Sequence, residues 1–530
     1  MMPEHRIPKI AIAPQNRYFY THPFTVQSAG SGLYLRTPHR GIEVPTRKET
    51  AAMPAQICTQ MFINNQDCAG EGAFIKVINP VTEEVVVEFP GASVAQVDQA
   101  VTSAKDAFES GVWKNPEFRK ATLLKFAALI DQHTDELMEI LLSELGCPVN
   151  LKPNHFTTPA NFIRWFAEAA TRDRTRQLGF NVTKTAVSSI AYRPMGVIAA
   201  ITAFNYPVLI GGTKTGAALA AGNTVVLLSS PLAPLTVAAL GDLVRQAGFP
   251  PGVFNIIAGG ADVGQALTEH PAVAKVSFTG SVNVGRQVMQ QAAGGLRSCV
   301  LELGGKSAAI MLPGVDFNKY ALSLHARYAR NAGQGCGSPT RILVEESRYE
   351  EFCEISRKVY PQIKIGDPRD PSTIVGPVVT SAQRDRIEAR VAEAVASGAK
   401  IIAGGGRPDI EKGWFVNPTL VGNLTNQDKL AREEIFGPVS VVITYRTVEE
   451  AVQITNDSAL GLKAYVFGPT TECLKLVPDL YVGTVQINGG SPLRPDAPMM
   501  GYKHSGVGAE WGEDGLREFL HPQHIDCPVN

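Results

Sequence analysis

The middle of the chain alternates short apolar runs with longer segments of helical period, and this order sets the fold class. Apolar runs rich in branched residues begin at Gly196, Asn223 and Val253, and a helix-like segment follows each of them. Such an order implies parallel strands, right-handed crossovers and a ligand crevice at the carboxyl ends of the strands. A second series of the same kind starts near residue 305. We therefore predict an α/β protein with a Rossmann-like parallel sheet and a second α/β domain.

Composition narrows the class of partner. The chain has 530 residues, too many for one hydrophobic core, so at least two packed domains are expected. Its 49 basic and 50 acidic side chains give a net charge of -1, which offers no basis for binding nucleic acid or an anionic membrane surface. The eight cysteines stand singly, which predicts a reducing compartment and a cytoplasmic location. The histidines form no metal-binding pattern, so no metal site is predicted.

Residues 1–57 are predicted to be an extension outside the fold. They hold seven Lys or Arg and three Glu, with many Pro, Thr and Ser and no sustained periodicity. A disordered tail fits this composition, and so does a misassigned start upstream of a true one at Met53. An organelle transit peptide is a third interpretation.

Two glycines open a predicted helix after the strand KVSF. The stretch TGSVNVG, residues 279–285, puts Gly280 and Gly285 where a backbone can approach a phosphate. The spacing differs from the GxGxxG dinucleotide fingerprint, and an ordinary strand-to-helix turn explains the glycines about as well.

Three side chains near predicted strand ends or loops could carry chemistry. Glu302, in LELGGK, stands among leucines, where a raised pKa suits a general base, although a surface glutamate is equally possible. Asn205, in FNYP, could donate a hydrogen bond to an oxyanion or merely shape the turn. Cys336, in NAGQGCGSPTR, has glycine on both sides, which leaves room for a trigonal carbon to approach a thiolate. A buried structural cysteine is the alternative, but these surroundings favour chemistry.

Six motifs, taken in order, resemble the aldehyde dehydrogenase superfamily: FNYP, FTGS, LELGGK, GQGC, EEIFGPV at 433–439 and GYKHSG at 501–506. The resemblance covers about residues 60–525. It implies that Cys336 attacks an aldehyde carbon, and that Asn205 and the Cys336 backbone N–H stabilise the oxyanion. It also implies that Glu302 activates the water that hydrolyses a thioester to a carboxylic acid.

The resemblance implies two further groups of residues. The cofactor positions are Thr202, Ala203, Phe204, Asn205, Leu228, Ser230, Gly280, Ser281, Val284, Leu303, Gly304, Glu434 and Phe436. The positions that line the substrate tunnel are Tyr206, Leu209, Ile210, Thr213, Arg330, Gly335, Ser491, Leu493 and Met499. Most tunnel residues are apolar or small, which favours an aliphatic, terpenoid or aromatic aldehyde as the small-molecule substrate. Arg330 could instead bind the distal carboxylate of a semialdehyde acid, or turn away into an ion pair.

One departure from the family pattern concerns the adenosine ribose of the cofactor. Relatives have Lys-Pro-x-Glu where this chain has Leu228, Ser229, Ser230 and Pro231. Loss of the glutamate removes repulsion toward a 2'-phosphate, but no cation replaces the lysine. We therefore predict NAD as the cofactor, with NADP possible, and binding weaker than is usual in the family.

The resemblance also implies where the domain boundaries of the chain lie. It implies a cofactor domain of residues 58–175 and 195–304 and a catalytic domain of residues 305–517. Residues 176–194 and 518–530 would form a small β element that holds a homodimer or homotetramer together. A CoA-acylating relative would not need the base Glu302, and a catalytically silent relative would not need Cys336. Both alternatives are therefore disfavoured.

Overall fold

The computed structural model describes residues 57–490 and 493–529. The interpretations of residues 1–56, and the predicted tunnel residue Ser491, lie outside this range. The strands are β1 Met61–Ile63, β2 Gln66–Cys68, β3 Phe74–Ile78, β4 Val85–Pro90, β5 Arg176–Phe180, β6 Ala186–Pro194, β7 Val197–Ile201, β8 Thr224–Ser229, β9 Phe254–Ala258, β10 Val273–Thr279, β11 Ser298–Glu302, β12 Ser307–Met311, β13 Pro339–Glu345, β14 Lys400–Gly404, β15 Thr419–Gly422, β16 Val439–Tyr445, β17 Leu460–Gly461, β18 Lys463–Phe467, β19 Thr484–Ile487, β20 Tyr502–Lys503, β21 Gly506–Val507 and β22 Leu520–Pro528. The α-helices are α1 Val94–Ser110, α2 Pro116–Gln132, α3 Thr134–Leu145, α4 Thr158–Ala169, α5 Pro207–Ala220, α6 Leu235–Ala238, α7 Leu240–Ala247, α8 Ala261–Glu269, α9 Val282–Ala293, α10 Phe317–Ala329, α11 Tyr349–Val359, α12 Ser381–Ala396, α13 Lys429–Arg432, α14 Val448–Asn456, α15 Thr470–Leu476 and α16 Gly512–Arg517.

The first sheet has the strand order β2-β1-β9-β8-β7-β10-β11-β21, in which β9 through β11 run parallel. Every residue of β7, β8 and β9 is buried, because helices cover both faces of a parallel sheet. The chain moves outward from β7 to β8 and β9, and then crosses back to β10 on the other side of β7. The switch point between β7 and β10 is where open α/β sheets bind ligands.

The second sheet has the order β14-β15-β16-β13-β12-β18-β19, in which only β14 is antiparallel to its neighbour. Residues 303–306 join the carboxyl end of β11 in the first sheet to the amino end of β12 in the second. The predicted combination of a Rossmann-like sheet and a second α/β sheet is confirmed.

Within the predicted small β element, β5 and β6 form a hairpin, and β22 completes a three-stranded antiparallel sheet with them. The register pairs Leu520 with Pro194 and continues to Pro528 opposite Ala186. Most residues of β5 and β22 are exposed. This sheet therefore has two edge strands, β5 and β22, with little cover from the described part of the chain.

The two large sheets have separate hydrophobic cores. One buried cluster, which includes Phe166, covers one face of the first sheet, and another, which includes Val226, covers the opposite face. A third cluster, which includes Ile342, fills the second sheet. No helix in the described part of the chain is both long enough and apolar enough to cross a membrane.

Candidate active site

Four loops meet where the two large sheets face each other. Gly305 precedes β12, Cys336 precedes β13 and Phe436 precedes β16, while Lys463 is the first residue of β18. These four strands lie side by side in the second sheet. A Cβ on Gly305 would collide with the carbonyl oxygen of Cys336, so the two loops pack at backbone distance. The site therefore joins the carboxyl ends of the first sheet to the amino ends of the second.

The loop that carries Cys336 has an unusual backbone. Asn331 and Ala332 have φ angles of 54° and 53°, which places both in the left-handed region that non-glycine residues rarely adopt. The Gln334 side chain fixes the next turn, because its Oε1 accepts a hydrogen bond from the Val379 N–H at 3.0 Å. Its Nε2 donates to the Asn331 carbonyl at 3.1 Å. Together these contacts hold the GQGC loop in place ahead of β13.

The surroundings of the Cys336 thiol favour its neutral form. Its pKa is raised to about 12, mainly by burial, and the charges of Glu434 and Glu302 contribute to the rise. The Lys463 charge and the backbone N–H of Gly337 act in the opposite direction. At neutral pH Cys336 is therefore a thiol, which must lose its proton before it can attack a carbonyl carbon.

Asn205 ties the first sheet to the Cys336 loop. It follows β7, it is buried, and its Nδ2 donates to the Gln334 carbonyl at 2.8 Å. Its own carbonyl accepts from the Asn331 Nδ2 at 3.1 Å. A primary amide carries two N–H donors, so one of them remains available for an oxyanion near Cys336.

Glu302 lies in the interior and not at the surface. It is the last residue of β11, and both of its carboxylate oxygens are buried without a hydrogen-bond partner among the described residues. Burial raises its pKa well above the ordinary value, and the charge of Glu510 raises it further. The charges of Lys214 and Lys463 act against this rise.

The sequence motifs did not identify Lys214 and Glu510. Lys214 pairs with Glu510 through a buried ion pair, and its Nζ also donates to the Ser277 Oγ at 3.1 Å. The Lys214 side chain is fully buried in α5. A single lysine within the otherwise uncharged PVLIGGTKTGAALA was the available signal, because a buried lysine requires an anionic partner.

The crevice at the switch point suits the phosphates of a dinucleotide. Helix α9 starts there, and the Ser281 Oγ caps it by accepting from the Val284 N–H at 3.3 Å. The Gly280 N–H donates to the Glu302 carbonyl at 3.1 Å and is therefore not available to a phosphate. The N–H groups of the first turn of α9 and its dipole would hold a phosphate instead.

Glu434 and Phe436 border the other end of the crevice. The Glu434 Oε1 accepts from the Gly305 N–H at 3.0 Å, and burial raises the Glu434 pKa to about 7. Phe436 has a φ of 56°, and its ring meets that of Phe204 edge-on at 5.8 Å. A buried acceptor and an aromatic pair fit the ribose and the flat ring of a nicotinamide. The predicted cofactor positions Leu303 and Gly304 directly precede Gly305, in the segment that joins β11 to β12.

The adenosine side of the crevice has no charged group at the positions of the family's lysine and glutamate. Leu228 is packed in the core of the first sheet, and its carbonyl accepts from the Thr202 N–H at 3.0 Å. Ser230 is partly exposed, and its Oγ accepts from the Leu232 N–H at 3.3 Å. Ala203, another predicted cofactor position, follows Thr202 beyond the end of β7.

One wall of the predicted tunnel is apolar and comes from α5 and its neighbours. Leu209 is buried there, and the Thr213 Oγ1 bonds back to the Ile210 carbonyl at 3.1 Å. Leu493 packs against the core of the first sheet, and the Met499 N–H donates to the Glu510 carbonyl at 2.6 Å. Gly335 lies in the Cys336 loop.

A histidine absent from the sequence-based list stands beside this wall. The His155 ring stacks on Tyr206 with 4.7 Å between ring centroids, and its Nε2 lies 3.1 Å from the Cys147 Sγ. Burial, with a smaller effect from the charge of Arg330, lowers the pKa of His155 to about 3, so the ring is neutral.

Arg330 itself is exposed and has no ion-pair partner within the described residues. The expected alternative, in which Arg330 turns away into an ion pair, is therefore not seen.

Comparison with known proteins agrees with this geometry. The sequence matches the profile of the Aldehyde dehydrogenase family over residues 68–525. The chain belongs to the aldehyde dehydrogenase family. As a member, it is an oxidoreductase, and the resemblance carried by the six motifs is confirmed.

Three relatives show how far the likeness extends. A sequence from Staphylococcus aureus (strain USA300), whose own name places it in this family, is 36% identical over 473 residues, which span 88% of this chain and 98% of the relative. A mutant of aldehyde dehydrogenase C from Pseudomonas syringae, solved with NAD+ and octanal, is 35% identical with a TM-score of 0.84 and covers 89% of this chain and 96% of its own. Betaine aldehyde dehydrogenase from Staphylococcus aureus, solved with NAD+, is 32% identical with a TM-score of 0.87 and covers 90% and 96%.

Proposed function

We propose that this enzyme oxidises an aldehyde to the carboxylic acid, with NAD+ as the oxidant, through a thiohemiacetal and then a thioester on Cys336. The observation that carries the proposal is the convergence of three groups. The thiol of Cys336, the amide of Asn205 and the unpartnered carboxyl group of Glu302 meet between the two large sheets. They supply a nucleophile, an oxyanion donor and a base, which are the separate requirements of covalent aldehyde oxidation.

The first step forms a carbon–sulfur bond. The Cys336 thiol releases its proton to solvent water, and the thiolate attacks the aldehyde carbon while the carbonyl π electrons move onto the oxygen. The second N–H of Asn205 and the backbone N–H of Cys336 donate to this oxyanion. The nearby ammonium of Lys463 favours the thiolate, since it opposes the effects of burial and of the two glutamates.

The oxyanion then re-forms its carbonyl, and the hydride on the same carbon departs. Glu434 and Phe436 would hold the ribose and the nicotinamide ring of NAD+, which would supply the hydride acceptor when bound. Cys336 is left as a thioester. Fixed donors at the oxyanion hold the geometry in which this carbon faces the acceptor.

The last step hydrolyses the thioester. Glu302, once ionised, takes a proton from water as the water attacks the thioester carbon, and the carbon–sulfur bond breaks to return the Cys336 thiolate. The raised pKa of Glu302 makes it a stronger base than an exposed carboxylate. Within the buried pair, the charge of Glu510 adds to the rise of the Glu302 pKa, and the charge of Lys214 opposes it. In sum, aldehyde, NAD+ and water give carboxylic acid, NADH and a proton.

NAD is the cofactor that we propose. The relatives from Pseudomonas syringae and Staphylococcus aureus were solved with NAD+. Neither Leu228 nor Pro231 offers a cation to the extra phosphate of NADP.

We also propose the division into a cofactor domain of residues 58–175 and 195–304 and a catalytic domain of residues 305–517.

Homo-oligomerisation through the three-stranded sheet belongs to the same proposal. Leu178, Phe180 and Val182 are exposed apolar residues on or next to β5, and Ile525 is exposed on β22. Edge strands that carry apolar side chains are suited to pairing with a second copy. Light scattering of the wild type and of Phe180→Ser tests this, and a monomeric wild type would contradict it.

A cytoplasmic location also remains a proposal, supported by eight free cysteines.

The experiment that tests the proposed function measures NADH and NADPH formation from aliphatic, aromatic and terpenoid aldehydes. Cys336→Ala is the matched control, and it should keep the fold while losing all turnover. Addition of coenzyme A separates hydrolysis from acyl transfer, because a hydrolytic enzyme gains no rate from it. Turnover in the Cys336→Ala variant would refute the proposal.

A further inference from the structure

Two side chains beside the apolar wall of the predicted tunnel, Cys147 and His155, form a buried pair to which the proposed chemistry gives no part. Both are fully buried, and the His155 Nε2 lies 3.1 Å from the Cys147 Sγ. Burial raises the pKa of the thiol and lowers that of the imidazole to about 3, so both groups are neutral. The His155 Nδ1 has no hydrogen-bond partner in the described part of the chain. Because an unpaired buried nitrogen is unfavourable, another contact of the ring must explain its presence.

The backbone around His155 has an uncommon form. Residues Pro153–Thr157 make a single π-helical turn, and α4 follows directly at Thr158. This form is rare and is found frequently at functional sites. Cys147 comes from the end of α3, directly after Gly146, which ends that helix with a φ of 58°. The pair therefore joins the two ends of the segment between α3 and α4.

Close packing of α4 on α5 sets where His155 lies. A Cβ on Gly212 would lie 3.4 Å from the Pro159 Cβ, and one on Gly216 would lie 3.1 Å from the Phe166 Cδ2. These contacts advance in the same direction along both helices. The segment before α4, which holds His155, therefore lies beside the start of α5.

The His155 ring lies flat against the ring of Tyr206, the residue that precedes α5. The ring centroids are 4.7 Å apart, and the ring planes are inclined by 22°. Stacked aromatic rings at this distance attract each other beyond the apolar area that they bury. The bond to Cys147 fixes the plane of the imidazole, and the imidazole restricts the Tyr206 ring.

Tyr206 shares a peptide unit with the oxyanion donor. The carbonyl of that unit belongs to Asn205 and accepts from the Asn331 Nδ2 at 3.1 Å. The side chain of Asn205 donates through its Nδ2 to the Gln334 carbonyl at 2.8 Å. The peptide unit is thus held by the catalytic loop on one side and by His155, through Tyr206, on the other. An amide that must meet an oxyanion depends on such fixed geometry.

We propose that His155 is a positioning residue for the oxyanion donor Asn205. Its ring, whose plane Cys147 fixes, holds Tyr206 and so the peptide unit that Tyr206 shares with Asn205. In this role His155 transfers no proton, and its flat ring is the essential feature. The role rests on the proposed oxidation at Cys336 and adds a support for its oxyanion donor.

The test compares two apolar replacements that differ in the flat ring. His155→Leu and His155→Phe both lose the bond to Cys147, but only the phenyl ring can stack on Tyr206. The full-length enzyme is assayed for NADH formation with the aldehyde that the wild type oxidises fastest. We expect His155→Leu to lower kcat by about tenfold to a hundredfold, as displacement of a catalytic group does. His155→Phe should recover most of that loss.

His325→Leu is the matched control. His325 is also fully buried, its Nδ1 is unpaired among the described residues, and burial lowers its pKa to about 3. Its Nε2 lies 3.0 Å from the Ser356 Oγ, and its ring packs against those of Phe352 and Tyr360 in the core of the second sheet. The same exchange at this position should leave kcat at the wild-type value. The control separates a general loss of packing from loss of the contact with Tyr206.

A double-mutant cycle shows whether His155 acts through Asn205. In an Asn205→Ala background the donor is already gone, so His155→Leu should lower kcat further by less than about twofold. A merely structural role would give the same fold-loss in both backgrounds. Cys147→Ala should lower kcat in the same direction as His155→Leu but by less, because it leaves the rings stacked.

A wild-type kcat in His155→Leu, equal losses in the two backgrounds, or a His155→Phe variant as slow as His155→Leu would overturn the positioning role while leaving aldehyde oxidation intact. If the wild type yields no NADH from any aldehyde, the proposed function fails instead. Crystal structures of the wild type and of His155→Leu then decide the positioning role separately. The Tyr206 ring and the bond from Asn205 to Gln334 should shift in the variant, and an unchanged arrangement would overturn the proposal.

Discussion

The buried pair of Lys214 and Glu510 gives the sharpest test of how the interior around Glu302 is built. Glu510→Gln keeps the size of the side chain but removes its negative charge, which leaves the Lys214 ammonium buried without an anionic partner among the described residues. Removing one member of a buried ion pair costs about 3–5 kcal/mol of unfolding free energy. We expect a loss of that size.

The assay is urea unfolding followed by circular dichroism, with each variant measured beside the wild type. Glu109→Gln is the matched control, because it breaks an exposed pair with Lys105 on α1. Exposed pairs contribute about 0–1 kcal/mol, so this variant should unfold close to the wild-type midpoint. The double variant Lys214→Met with Glu510→Leu should recover most of the loss, because an apolar pair can replace a buried ion pair.

The same variant has a kinetic consequence. Burial is the main cause of the raised pKa of Glu302, and the Glu510 charge adds to it. Glu510→Gln removes that added effect and so lowers the pKa of Glu302. The acid limb of the kcat profile, where Glu302 must be ionised, should therefore move to lower pH. A stability loss no larger than that of Glu109→Gln, together with an unmoved acid limb, would refute this account of the pair.

Three further predictions concern the oxyanion donor Asn205, the segment of residues 303–306 between β11 and β12, and the cofactor. Asn205→Ala should lower kcat by about a hundredfold to a thousandfold, as loss of an oxyanion donor does, and a drop of less than about tenfold would exclude that role. Ser505→Ala removes a buried hydroxyl that donates to the Gly304 carbonyl at 2.7 Å, so unfolding free energy should fall by about 1–3 kcal/mol in chemical denaturation. Leu228→Lys combined with Pro231→Glu restores two ribose contacts and should tighten NAD binding in titration calorimetry, whereas an unchanged Kd would mean that other groups hold the ribose.

The strands of the first sheet could be read from the sequence because they are buried on both faces. Such strands appear as uninterrupted apolar runs, and GVIAAITAF and NTVVLLS correspond to Val197–Ile201 and Thr224–Ser229. The positions of Asn205 and Glu302 followed from the same runs, since each residue ends or follows a buried strand. The glycines around Cys336 marked a loop, and the structure has that loop directly before β13.

The rest of the site depends on contacts between distant parts of the chain. Lys214 and Glu510 are 296 residues apart, so no local pattern links them. Lys463 reaches Gly337 only because β18 and β13 lie on either side of β12. The sequence predicted a crevice at the carboxyl ends of parallel strands, but it gave no sign that the second sheet contributes its amino ends.

The central claim is that an aldehyde is carried as a thioester on Cys336 and released by Glu302. Intact mass spectrometry of Glu302→Gln, quenched after mixing with NAD+ and an aldehyde substrate, tests this most directly. We predict a mass increase equal to the acyl group, confined to the Cys336 peptide and absent from the double variant with Cys336→Ala. NADH formation by Glu302→Gln at the wild-type steady-state rate, with an unmodified Cys336, would contradict the account.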